Sequence, residues 1–249
     1  MANAANINVT LKDFEEQIIT CSNCGKCQEI CPVYKITGNE CTVSKGKFVM
    51  LKGVLSGKLK LSKTIDKYLD MCLKCGKCKD FCPSGIDVCE IFNVAKYEYV
   101  KNSFWFKFIK LLQSKNFMDK IFALFEIFSD KRELKGKTKL LYFTSCANKI
   151  FPSKSLKKIL KNYDVELVEK DFDCCGLPFL SSGNLERYEQ AKEHNLKLLK
   201  GEYNYIITDC ASCESTLKEY GSNLNIINIG QFLAIQNKKF VFKKHLKVT

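Results

Sequence analysis

The chain has 249 residues, 46% hydrophobic and 27% charged, which suits one large domain or two smaller ones and excludes disordered and collagen-like architectures. Forty basic residues against 27 acidic ones give a formal charge of +13, and cysteine stands at 15. Only Arg132 and Arg187 are arginines, so the basic surface lacks the bidentate forks that read nucleic acid, and no nucleic-acid partner is expected. The lysine excess reads first as solubility, with an acidic partner or an anionic membrane as the alternatives.

The opening MANAANINVTLKDFEEQ has no basic n-region and no apolar h-region. No apolar run approaches the roughly 18 residues of a membrane span. A cytoplasmic chain is expected. An odd number of cysteines in that compartment reads as reduced thiols used as metal ligands, not as a disulfide framework.

Eight cysteines form two copies of C-x2-C-x2-C-x3-C-P: Cys21, Cys24, Cys27 and Cys31 before Pro32, then Cys72, Cys75, Cys78 and Cys82 before Pro83. Between the copies, Ser44 is expected to cap a helix over Lys47 to Leu55 with Gly57 at its end, and Ser62 to cap another through Ile65 and Leu69. Three closely spaced thiolates present three ligands to one cluster, and in two-cluster proteins with this run the fourth cysteine ligates the other cluster. One [4Fe–4S] cube is therefore expected on Cys21, Cys24, Cys27 and Cys82, and a second on Cys72, Cys75, Cys78 and Cys31. Two such cubes would lower the formal charge to about +9. All-cysteine zinc sites are the weaker reading, since His194 and His245 stand apart from both motifs. Cys41 and Cys89 fit neither set and read as core thiols.

From Lys96 to Phe128 apolar residues recur at helical spacing: Trp105, Phe108, Ile109 and Leu112, then Met118, Ile121, Phe122 and Phe125. Interleaved Lys107, Lys110, Lys115 and Lys120 make the segment amphipathic and basic, as in an interfacial membrane helix. The stripe is expected to pack against the protein.

After Gly136, strand-like runs at Lys139 to Thr144, Val165 to Val168, Tyr205 to Thr208 and Ile226 to Ile229 alternate with helical stretches at Ser153 to Tyr163, Leu185 to Leu199 and Glu214 to Tyr220. Such alternation predicts parallel βαβ units. Cys146, the pair Cys174 and Cys175, and Cys210 with Cys213 all follow strands, so they are expected to meet at the carboxyl edge of the sheet. None of the 13 glycines forms a G-x-G-x-x-G, and no acid/base constellation is apparent.

The segment CCGLPFLSSGN, with Cys146 upstream and DCASC downstream, resembles the cysteine-rich CCG domain of heterodisulfide reductase subunits. CPVYKITGNE, the SKGK that opens the next helix, and LDMCLKCGKCKDFCPSGIDV are similar to the iron–sulfur subunits of glycolate oxidase, D-lactate oxidation systems and anaerobic glycerol-3-phosphate dehydrogenase. The resemblance spans most of residues 20 to 235. It implies a helical ferredoxin domain that passes electrons from a flavoprotein dehydrogenase of 2-hydroxyacids or glycerol 3-phosphate toward a quinone, a membrane-subunit acceptor or a thiol/disulfide acceptor. It also implies a third, non-cubane [4Fe–4S] cluster on Cys146, Cys174, Cys175, Cys210 and Cys213. Relatives commonly carry two CCG repeats and no cysteine follows Cys213, so a homodimer or a partner chain is expected to supply a second half if disulfide chemistry occurs.

The resulting expectation is an α+β chain: an α-helical two-cluster ferredoxin domain at 1–95, an amphipathic connector at 96–135, and a single α/β CCG domain with a mostly parallel sheet at 136–249. Its expected role is that of an oxidoreductase subunit that transfers electrons, cytoplasmic or peripheral on the inner face of the membrane. The alternative is a heterodisulfide-reductase-like catalytic subunit that reduces a disulfide at the CCG cluster.

Overall fold

The computed structural model describes residues 9–101, 103–126, 133–151, 155–221 and 224–236. The chain divides into two compact units, the first comprising Met1–Phe117 with Pro178–Gln190 and the second Met118–Leu177 with Ala191–Thr249.

The first unit is helical: α1 Glu15–Thr20, α2 Lys26–Ile30, α3 Pro32–Thr37, α4 Ser44–Leu55, α5 Lys63–Asp70, α6 Lys77–Asp80, α7 Val88–Val100 and α8 Phe104–Leu112. Pro32 occupies the first turn of α3, where its missing N–H costs nothing, and Gly38 ends that helix in the left-handed region. Phe48 and Leu51, one turn apart on α4, meet Ile91, Phe92 and Ala95 of α7 in a core that also holds Phe14, Ile18 and Leu69. The rings of Phe48 and Phe92 lie 5.6 Å apart. Ser62 caps α5 as expected, accepting from the Ile65 N–H at 3.5 Å. The expected cap of α4 is corrected: Val43 holds the N-cap position and Ser44 is the first helical residue.

Phe122 is buried and Met118 and Ile121 are half-buried, as expected of the stripe, but its part on α8 is corrected. On α8 it is Phe106 that turns inward and is buried, whereas Trp105, Phe108 and Leu112 are exposed. One residue advances a helix by about 100°, so seating Phe106 carries those three side chains round to solvent.

The remaining elements are α9 Lys115–Glu126, β1 Thr138–Phe143, α10 Cys146–Ile150, α11 Ser155–Leu160, β2 Val165–Glu169, α12 Leu177–Ser181, α13 Leu185–Leu199, β3 Tyr205–Thr208, α14 Ala211–Glu219, β4 Ile226–Asn228 and α15 Ile229–Ile235. Helices α9, α12 and α13 each straddle the division between the units. The four strands form one parallel sheet in the order β2-β1-β3-β4. Leu140 to Phe143 of β1 are buried without alternation, as expected of a central strand covered on both faces. Leu140, Leu160, Val165, Ile207 and Phe232 build the core of this unit. The expected start of a helix at Ser153 and the side chain of Phe125 lie outside the described residues.

Candidate functional site

The two cysteine loops repeat one backbone conformation. Gly25 and Gly76 have φ of 84° and 74°, and Asn23 and Lys74, two residues earlier, are the described non-glycine residues with positive φ. That left-handed pair turns each loop tightly around its thiols, and non-glycine residues hold such a conformation only where the surroundings impose it. The Lys74 N–H donates to Cys72 Sγ at 3.4 Å. The Lys74 ammonium donates to Asn93 Oδ1 at 2.6 Å and to the Leu180 carbonyl at 3.2 Å, which ties the second loop to Pro178–Gln190. Lys52 Nζ donates to the Cys21 carbonyl at 2.6 Å and steadies the first loop.

The start of α4 is wedged between the loops. The Lys45 N–H faces Cys27 and the Ser44 hydroxyl faces Cys78; this contact, not a cap, is what Ser44 does. Burial pushes the thiols of Cys27 and Cys78 up, against the lowering effect of those donors. Cys24 is exposed, and the Lys26 N–H holds its thiol below the ordinary value. A Cβ on Gly46 would lie 2.1 Å from the Glu40 carbonyl oxygen, so glycine is required for α4 to approach that backbone. Cys21, Cys24 and Cys27 line one cavity together with Cys78 and Cys82 of the other repeat.

Lys47, which carries no motif, is 1% exposed. Its ammonium donates to the Thr42 carbonyl at 2.5 Å and lies over the Phe92 ring. Among the described residues no carboxylate forms an ion pair with it; burial lowers its pKa, and the thiols of Cys72, Cys31, Cys78 and Cys27, when deprotonated, act against that. A buried cation needs a compensating anion. Deprotonated thiols from both repeats, were they to carry an anionic cluster, would meet that need, and all fifteen cysteines are free of disulfides. The donor set therefore fits iron–sulfur clusters. Among the described residues no three His, Cys, Asp or Glu side chains are disposed around a single metal ion.

The other five cysteines converge at the carboxyl edge of the sheet. Cys146 opens α10 after β1, Cys174 and Cys175 lie between β2 and α12, Cys210 is the N-cap residue of α14 after β3, and Cys213 sits in its first turn. Their thiols form a continuous contact series, Cys146 to Cys174 to Cys175 to Cys213 to Cys210. A hydrogen bond from Cys146 lowers Cys174, but donation to Cys175 and burial prevail and push its thiol up to about 12. Cys175 likewise receives a lowering bond from Cys174, yet donation to Cys213 and burial push it up to about 12. Metal binding must displace these protons. Cys41 and Cys89 are half-buried, not enclosed in the core as expected, and stand outside the five-thiol series.

The loop holding Cys174 and Cys175 is fixed by residues that carry no motif. Buried Asn195 accepts from the Asp173 N–H at 2.8 Å and donates to the Cys174 carbonyl at 3.1 Å, while the Tyr220 hydroxyl donates to the Cys175 carbonyl at 2.9 Å. Below Cys146, Tyr142 donates to Asp209 at 3.0 Å and accepts from Asn148 at 2.8 Å.

Two families match the chain: the 4Fe-4S dicluster domain over residues 17–86 and the cysteine-rich CCG domain over residues 140–218. The first contains all eight cysteines of the repeat and the second all five at the sheet edge. A subunit of the CoM/CoB fumarate reductase of Methanothermobacter marburgensis is 28% identical over 86% of this chain and 46% of its own length. The glycolate oxidase iron-sulfur subunit of Escherichia coli is 34% identical over 30% of this chain and 18% of its own. A subunit of the dihydromethanophenazine:CoB–CoM heterodisulfide reductase of Methanosarcina acetivorans is 22% identical over 94% of this chain and 67% of its own. The chain thus spans about half the length of the first of these relatives and less than a fifth of the second. No solved structure matches. Residues 17–86 thus match a 4Fe-4S dicluster domain and residues 140–218 a cysteine-rich CCG domain, and with that pair of domains the chain is similar to the CCG-domain iron–sulfur proteins.

Proposed function

We propose that the chain is the electron-transfer subunit of a flavoprotein dehydrogenase of 2-hydroxyacids or glycerol 3-phosphate, delivering electrons toward a quinone or a thiol/disulfide acceptor. Cys21, Cys24, Cys27 and Cys82 hold one cluster, Cys72, Cys75, Cys78 and Cys31 a second, and the five CCG thiols a third. When bound, such clusters accept and release electrons singly, which requires a flavin on another chain to couple them to a two-electron substrate. The observation that supports this reading is the buried ammonium of Lys47 among thiols of both repeats. Ser44 and the Lys45 N–H direct further positive dipole at the same place. The protein's part is to supply thiolates, keep water from the inner ligands and compensate charge. In the test, the anaerobically reconstituted protein binds about twelve irons per chain and its clusters are reduced by a flavoprotein with its substrate. A zinc-loaded, EPR-silent protein would refute it.

A disulfide-reducing role is favoured by one observation: Cys174, Cys175 and Cys213 are buried, but Cys146 and Cys210 at the two ends of the series are half-buried and open to a sulfur ligand. A new EPR signal on adding a disulfide to the reduced protein would mark that chemistry; unchanged spectra would leave the site a relay.

A further inference from the structure

Helix α8 is held from behind and bare in front. Phe106 is buried, Lys110 pairs with Glu186 at 2.5 Å, Arg187 Nε donates to the Gln113 carbonyl at 2.9 Å, and Asn184 Nδ2 donates to Gln113 Oε1 at 2.8 Å. These ties stop the helix from rolling its other face inward. Phe104 at 79%, Trp105 at 70% and Leu111 at 63% exposure, with Phe108 and Leu112, cover an outward arc of roughly 120° at about 100° per residue. Trp105 sits edge-on to both Phe104 and Phe108, each at 6.4 Å. A soluble surface does not ordinarily leave such a contiguous aromatic patch bare.

Charge indicates what covers it. Between Glu98 and Asp119 the sequence has no acidic residue, and it carries Lys101, Lys107, Lys110 and Lys115. Lys107 borders the apolar arc. Aromatic and leucine side chains on one face, with Lys107 beside them and the Glu186 carboxylate taken up by Lys110, are the elements of a helix lying in an anionic lipid interface.

We propose that the outward face of α8 seats this chain on an anionic bilayer, with Phe104, Trp105 and Phe108 entering the headgroup region and Lys101, Lys107 and Lys115 facing lipid phosphates. The proposal rests on the electron-transfer reading only for its purpose, which is to bring the chain to a lipid-soluble acceptor. Trp105 is the single tryptophan of the chain, so its emission reports insertion directly. The reconstituted holoprotein is mixed with vesicles of phosphatidylglycerol and phosphatidylcholine, or of phosphatidylcholine alone. Trp105 emission shifts to the blue with the anionic vesicles, and co-sedimentation exceeds that with neutral vesicles at least roughly tenfold. Phe104→Ser with Phe108→Ser, both exposed and with Trp105 kept, lowers that binding at least about fivefold while circular dichroism and cluster absorbance stay unchanged. Unshifted emission, equal binding to both vesicles, wild-type binding by the double variant, or protection of Trp105 only by another protein chain would each overturn it. Reduction by the flavoprotein is scored in vesicle-free buffer, so loss of docking and loss of electron transfer are read apart.

Discussion

Lys47 stacks its ammonium 5.4 Å from the centroid of Phe92, and at 1% exposure it places a cation, without a carboxylate partner among the described residues, near the thiols of both cysteine repeats. Removing that charge makes an added electron less welcome. In Lys47→Met, which keeps the length of the apolar stem, the reduction potential of the dicluster domain is expected to fall by about 59 mV, a tenfold loss of electron affinity for a one-electron couple. EPR-monitored titration at low temperature measures it. An unchanged potential with full iron content would show that the charge is compensated elsewhere.

Exchange of the fourth ligand between repeats is open to a subtraction experiment. Replacing Cys21, Cys24 and Cys27 by Ser leaves one intact triplet at Cys72, Cys75 and Cys78. Adding Cys31→Ser to that background should strip or distort the remaining cluster, whereas adding Cys82→Ser should leave it intact. Iron content and the EPR line shape tell the two apart, and the opposite pattern would assign each cluster to its own loop.

Asn195 holds the CCG loop through buried hydrogen bonds to the Asp173 N–H and the Cys174 carbonyl. Asn195→Ala removes both of these buried hydrogen bonds, at a cost of about 2–4 kcal/mol. The expected result is a lowered melting temperature and loss of iron from the CCG site, with the dicluster signals retained. Retention of all iron would mean that Tyr220 alone suffices to hold the loop.

The apo-protein should show a graded reactivity of thiols. The Lys26 N–H lowers the thiol pKa of exposed Cys24, so this residue has more thiolate at a given pH and alkylates first near neutrality. Cys174 and Cys175, buried and pushed up to about 12, remain protonated there and react last, accelerating as pH rises toward those values. Peptide mass spectrometry after timed iodoacetamide exposure measures the order. Early modification of Cys174 would contradict it.

The two iron–sulfur domains were legible in the sequence because their cysteines recur at fixed short spacings, and the strands because their apolar runs are short and bounded. Helix α13 runs over Leu185–Leu199, as its periodicity indicates. What escaped were partners brought together from afar. Asn195 is 21 residues from the carbonyl it holds, and Tyr220 is 45 from its own. Lys47 looks like one lysine among many until burial singles it out. Ser44 has the chemistry of a cap, but the approach of the second loop gives its hydroxyl a thiol to meet. On α8 the periodicity marked the stripe of Trp105, Phe108 and Leu112 as the inward side, but Phe106, equally apolar and off that stripe, is the residue that is buried.

The excursion of Pro178–Gln190 into the first unit gives the chain an interwoven topology. A fragment ending before β1 would forfeit the Leu180 carbonyl that receives Lys74 and the Glu186 carboxylate that receives Lys110. The full set of contacts of the first unit is therefore available only once residues 178–190, far along the chain, have been made.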